Sequence, residues 1–134
     1  MFQDARGLEI TAASHEAVVA YDHAIDGYLR YRSDMQPRMA ALVAADPDLP
    51  LAHCLKGYLG MLAFNQAALP AARQALADTW RLVVDATPRE QAHAAALEAW
   101  VAGEPDRAVE TWDQILADHP HDILAFRLGP QQHQ

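Results

Sequence analysis

Between Thr87 and Asp122 the chain carries the start and stop signals of two helices joined by a tight turn. Thr87 can cap a helix whose first residue is Pro88, and Glu90 completes a capping box. Gly103 suits the residue just past that helix, Glu104-Pro105 opens a second one, and His119-Pro120 closes it. So short a connection turns the chain straight back, so this segment folds as an antiparallel helical hairpin. The rest of the chain points the same way. Roughly one residue in five is alanine and β-branched residues are sparse, which favours helix throughout. No segment sustains period-two alternation, so no sheet is expected.

The same punctuation recurs upstream. Ser14 is a good N-cap for a first helix reaching about Arg32, with Ala17, Tyr21, Ala24, Ile25, Tyr28 and Leu29 in one apolar stripe. A second helix spans about Met35 to Ala45, with Pro37 in its first turn, and Asp46 to Pro50 ends it. A third runs from about Leu51 to Phe64. A fourth runs from Pro70 to about Val84, with Leu76, Trp80 and Val83 on one face. A last helix opens at Asp122 and meets Gly129-Pro130 within about two turns. The expected fold is all-α, with six to seven helices stacked as antiparallel hairpins. Residues 1–13 read as an irregular segment and 14–128 as a helical repeat domain. Its hairpins lie at about 14–47, 51–86 and 88–120, a further helix begins at 122–128, and 129–134 is a tail.

The segment from Arg89 to Asp122 spans about one tetratricopeptide unit, whose period is about 34 residues. Ala96 and Ala108 fit the small positions where paired helices approach, Gly103 fits the turn, Trp112 the aromatic position and Pro120 the closing proline. Ile115 stands where a small residue is usual. Pro47 closes an earlier unit, and Gly57 with Ala72 marks the middle one.

The chain also resembles the N-terminal part of the tetratricopeptide repeat protein 38 family. The resemblance rests on the opening run from Asp4 to Ser14, on Ala20-Tyr21-Asp22-His23-Ala24-Ile25, and on Ala44-Ala45-Asp46-Pro47 with His53 beyond. It continues through Thr87-Pro88-Arg89-Glu90-Gln91-Ala92-His93, Ala102-Gly103, Trp112, Ile115-Leu116, His119-Pro120 and Asp122-Ile123-Leu124-Ala125. It implies a helical-repeat fold and brings no established reaction with it. Members continue through many more helices, whereas this chain turns to Gly129-Pro130-Gln131-Gln132, which reads as a fragment or a miniature.

Charge and composition exclude several functions. With 134 residues, 18 acids against 10 bases and a net charge of −8, the chain is a poor candidate for nucleic acid or an anionic membrane. Lys56 is the sole lysine. One cysteine, Cys54, rules out an internal disulfide and a multi-cysteine zinc site. No apolar run approaches the ~20 residues of a membrane span. The first residues lack a signal-peptide layout, so a cytoplasmic protein is expected.

In a tetratricopeptide unit the first helix of each pair lines the concave groove. Counting from Arg89, this register aims Glu90, His93, Leu97 and Trp100 into that groove, with His53 and Tyr58 on the third helix beside them. A polar set with an aromatic wall suits a peptide. The leading expectation is therefore a non-catalytic interaction module for a protein or peptide partner, without a cofactor. The alternative is one end of a larger α-superhelical protein that binds or transforms a small molecule in a pocket around His53, Arg89, Glu90 and His93. Glu90 and His93 have the Glu-x-x-His spacing of di-metal bundles, but no second copy occurs. His119, His121 and Asp122 cluster near Pro120, where Asp122 has the simpler role of N-cap. Cys54 reads as a buried thiol, because neighbouring His53 points about 100° away on a helix. Asp106, Glu110 and Asp113 form an acidic stripe, read as a solvated face. Trp80, Trp100 and Trp112 read as inter-helix packing. Ile123, Leu124, Phe126 and Leu128 form an apolar strip that so short a helix leaves uncovered. A second copy of the chain is its expected cover, with Ile123, Phe126 and Leu128 at the interface; the competing outcome is a monomer that folds back on itself.

Overall fold

Capped, alanine-rich segments become seven α-helices in the computed structural model of this chain, which describes residues 2–30, 33–63 and 66–129. The helices are α1 (His15–Leu29), α2 (Met35–Ala45), α3 (Pro50–Leu62), α4 (Leu69–Leu82), α5 (Pro88–Val101), α6 (Pro105–Asp118) and α7 (Ile123–Leu128). A single 3-10 turn, Gln66–Ala68, leads into α4. The fold is all-α. Helix α1 packs on α2, α3 on α4 and α5 on α6, which gives three hairpins, and α7 lies on α6. Helix α5 rests against both α3 and α4, whereas α2 meets α3 over a short stretch only. None of these helices is long and apolar enough to cross a membrane. The expected helix ends at Arg32 and Phe64, and the tail at 130–134, lie outside the described residues.

Local chemistry sets the helix ends. The Ser14 hydroxyl accepts from Ala17 N–H at 3.2 Å to open α1. Thr87 and Glu90 form the full capping box at α5, with Pro88 at its start. Asp122 caps α7 by accepting from Ala125 N–H at 3.1 Å. Gly103 takes φ +80°, the left-handed conformation that lets the chain leave α5 and enter α6 within a few residues. Thr87→Ala removes a cap and one donor to Glu90, so it is expected to cost about 1–2 kcal/mol in urea melts. A loss near zero contradicts the capping role.

The first eleven residues are more ordered than expected. Strands β1 (Phe2–Gln3) and β2 (Glu9–Ile10) pair antiparallel, with Phe2 opposite Ile10, so the expectation of no sheet fails here. The reason is a turn built by one side chain. Asp4 accepts from Arg6 N–H at 2.9 Å and Leu8 N–H at 3.1 Å, and Gly7 supplies the positive φ of +79°. So short a ribbon has little stability alone. It persists because it docks: Ile10 is fully buried, and Ala5 N–H donates to Asp22 of α1 at 3.2 Å.

The core runs through all three hairpins, with Ile25, Leu42, Leu55, Tyr58, Leu97 and Trp112 among its large members. Helices α3 and α5 touch closely, since a Cβ on Gly57 would lie 2.5 Å from Leu97 Cδ2. Two expectations are corrected. Trp80 is 37% exposed on α4, so it is not a full inter-helix packer like Trp112. Helix α7 is not an uncovered strip: Leu124, Ala125 and Leu128 turn inward and are buried on the chain's own third hairpin. Even six residues suffice, because Asp122 fixes the helix start and Gly129 passes so close to α6 that a Cβ there would lie 3.0 Å from Trp112 Cβ. Leu128 is therefore unavailable to a second copy. Phe126 points outward at 52% exposure, and Ile123 is half-buried.

Candidate functional site

Helix α5 carries Arg89, Glu90 and His93 on one side, and the structure gathers all three with Tyr58 of α3, Trp112 of α6 and Asp122 before α7. They do not line a groove. Arg89 is 5% exposed, while Glu90 and His93 have no exposed surface, so the groove-facing register is wrong. The cause is the N-terminal segment through Thr11 together with Asp122, which meet the side of α5 that an open repeat would leave free. Arg89 Nη2 donates to the Glu9 carbonyl at 3.0 Å. Thr11 donates to Glu90 through its backbone N–H at 3.2 Å and its hydroxyl at 2.9 Å. Glu90 also accepts from Thr87 at 2.9 Å, so its buried carboxylate is matched to donors from the strap and its own helix start.

Asp122 is the centre of the second half. One oxygen accepts from Arg89 at 2.9 Å and from His93 Nε2–H at 2.8 Å; the other caps α7. Burial works to raise the Asp122 pKa, but His93, Arg89 and the Ala125 N–H outweigh it and hold the carboxyl well below the usual range. Burial likewise opposes the Arg89 charge, yet Asp122 and Tyr21 together raise its pKa. Tyr21, buried on α1, faces this pair, and burial pushes its phenol far up despite the pull of Arg89.

His93 joins this pair to an aromatic group. Its Nδ1 lies 2.8 Å from Tyr58 OH, and that hydroxyl is also 3.0 Å from the His93 carbonyl. The hydroxyl has one proton. Given to Nδ1, it makes that nitrogen an acceptor; given to the carbonyl, it requires Nδ1 to carry a proton and donate back. Trp112 Nε1–H donates to the same oxygen at 3.2 Å. The Tyr58, Trp100 and Trp112 rings meet with centroids 5.5–6.2 Å apart. Trp100 is half-buried, and Leu97 is fully buried against α3.

His53 stands apart from this cluster. His53 hydrogen-bonds the Pro47 carbonyl through Nε2 at 2.6 Å and faces Asp78 of α4 at 3.9 Å. Its Nδ1 has no hydrogen-bond partner among the described residues. The pocket imagined around His53, Arg89, Glu90 and His93 therefore does not form. Cys54 is buried, its thiol 3.5 Å from the His93 carbonyl, and burial pushes its pKa up to about 12. A thiol so held is a poor nucleophile. His119, His121 and Asp122 do not converge either. Asp122 is buried in the network while His121 is exposed, and among the described residues no three His, Cys, Asp or Glu are placed to hold a metal ion. Asp106, Glu110 and Asp113 are all exposed.

The surface carries a different concavity. Between α2 and α3 lies a groove of about 730 Å³ lined by Met35, Gln36, Met39, Ala40, Val43, Ala44, Lys56 and Leu59. It exists because these two helices touch only briefly. Sequence reading missed it, although Met35, Met39 and Val43 follow the i, i+4, i+8 spacing of a helical stripe; Met39 packs partly on the core, and all three stay half-buried. Two smaller clefts, of about 290 and 340 Å³, flank the ribbon near Asp122 and Arg89. No family model matches the chain, and no solved structure matches it.

Proposed function

We propose that this chain is a non-catalytic interaction module of tetratricopeptide type that binds a helical peptide segment between α2 and α3. The observation that carries this reading is the apolar groove itself. Met35, Met39, Val43 and Leu59 are half-buried there with open space in front of them, and exposed Ala40 and Ala44 line the same groove. Flexible methionine side chains can re-pack around an incoming apolar face. A groove between helices suits the helix-in-groove mode of recognition. The packing of α5 against both members of the preceding hairpin supports the repeat-type stacking. The polar set on α5 argues against catalysis, because every member is committed to a partner inside the core. A lone cysteine, buried and unpaired with another, is compatible with a reducing, cytoplasmic setting.

Methionine methyl NMR tests this directly, since the chain has only 4 methionines. Titration with an uncharged amphipathic helical peptide is expected to shift the Met35 and Met39 methyl signals and leave Met61 in place. Absence of any Met35 or Met39 shift at millimolar peptide contradicts the groove reading.

A further inference from the structure

The charge around the groove is not what the whole chain would suggest. With 18 acids against 10 bases, an average patch of eight residues would hold at least one carboxylate, and this one holds none. Its single charge is Lys56, the sole lysine of the chain, exposed on α3 and without an acidic partner among the described residues. The nearest acid in sequence to the Met35 end, Asp34, is held by Arg38 at 2.9 Å, and Arg38 is itself buried. The groove thus offers an apolar floor of two methionines, a valine and a leucine, with one free ammonium at its edge.

Shape separates the occupants that such a floor could take. Pockets for small ligands enclose most of the ligand surface. This groove is open, with four of its eight lining residues exposed, so a fatty acid lying in it would keep much of its chain in water. A helix brings its own cover, because its far face is polar. A second copy of this chain is also a poor fit, since a two-fold contact through this patch would bring two ammonium groups and no carboxylate to it.

We propose that the α2–α3 groove takes an amphipathic helix of a partner protein whose apolar stripe is flanked by a carboxylate that meets Lys56. This rests on the groove reading above and adds the charge of the partner. Distant acids on the surface are screened within about 8 Å at physiological salt, so the local ammonium decides the preference.

Two 18-residue probe peptides decide it, one with leucine and alanine on one face flanked by glutamates, the other with lysines in place of those glutamates. Calorimetry at 150 mM salt, paired with the methionine methyl spectrum, reads both. The acidic probe is expected to bind more tightly and to move Met35 and Met39. Lys56→Glu is expected to weaken the acidic probe by about three- to ten-fold and to strengthen the basic one, with an unchanged melt. Lys56→Gln should fall between. Equal binding of both probes, unaffected by Lys56→Glu, overturns the acidic partner while leaving the groove reading intact. Binding of neither probe to the folded protein overturns both. Methyl shifts produced by laurate but not by the peptides overturn the helix in favour of a fatty acid. Shifts of Met35 and Met39 on simple dilution overturn it in favour of a second copy.

Discussion

Trp112→Ala is expected to destabilise the protein by about 3–5 kcal/mol, read as a shift of the urea midpoint at constant slope. The indole is 1% exposed and lies in the middle of the stack. It meets Tyr58 of α3 and Trp100 of α5 edge-on, at 5.8 and 5.5 Å between centroids, so its removal opens a cavity shared by three helices. Its N–H is also a donor to the Tyr58 hydroxyl. Without it, that buried oxygen loses one partner while its bonds to His93 remain. Trp112→Phe keeps much of the apolar area and loses the donor, so its cost should be clearly smaller. A change under about 1 kcal/mol for the alanine variant is incompatible with the burial described for α6.

Asp122→Ala is expected to cost a similar amount, about 3–5 kcal/mol at neutral pH. The reason is not the lost attraction alone. Arg89 and His93 would remain inside the core with their shared acceptor gone, and α7 would lose its cap. The sign of the pH dependence follows from the lowered pKa of this carboxyl. In the unfolded chain it titrates near the ordinary value of 3.8, while in the folded chain it stays ionised at lower pH. Its contribution is therefore complete above about pH 4 and is lost as the pH falls further. The gap between wild type and variant should be widest at pH 6–7 and should narrow below about pH 4. A gap that widens on acidification contradicts the pairing.

Helix boundaries were largely legible because they are set by neighbours in sequence. Ser14, Thr87 with Glu90, Gly103 and Asp122 each act within a few residues, and each takes the role its position suggests. What periodicity could not show was which side of α5 stays open. That depends on the N-terminal ribbon, which crosses roughly eighty positions of sequence to place Thr11 and the Glu9 carbonyl on Glu90 and Arg89. Nothing local in the run from Asp4 to Ser14 says that it reaches back to α5. The position of Asp122 shows its capping role, but not that its second oxygen accepts from Arg89 and His93. Nothing local marks Met35 or Met39 as groove residues, because the groove depends on how briefly α2 meets α3, a tertiary property.

The proposed function implies a division of labour, in which the buried polar set on α5 holds the fold and the α2–α3 groove is left for binding. One calorimetric series tests it, with the glutamate-flanked probe titrated into wild type, His93→Gln and Ala40→Arg at a temperature where all three are folded. His93→Gln is expected to lower the melting point but keep the affinity within about two-fold. Ala40→Arg, at an exposed site in the groove, is expected to leave the melt unchanged and weaken binding at least about ten-fold. Intact affinity in Ala40→Arg together with lost affinity in folded His93→Gln would contradict that division.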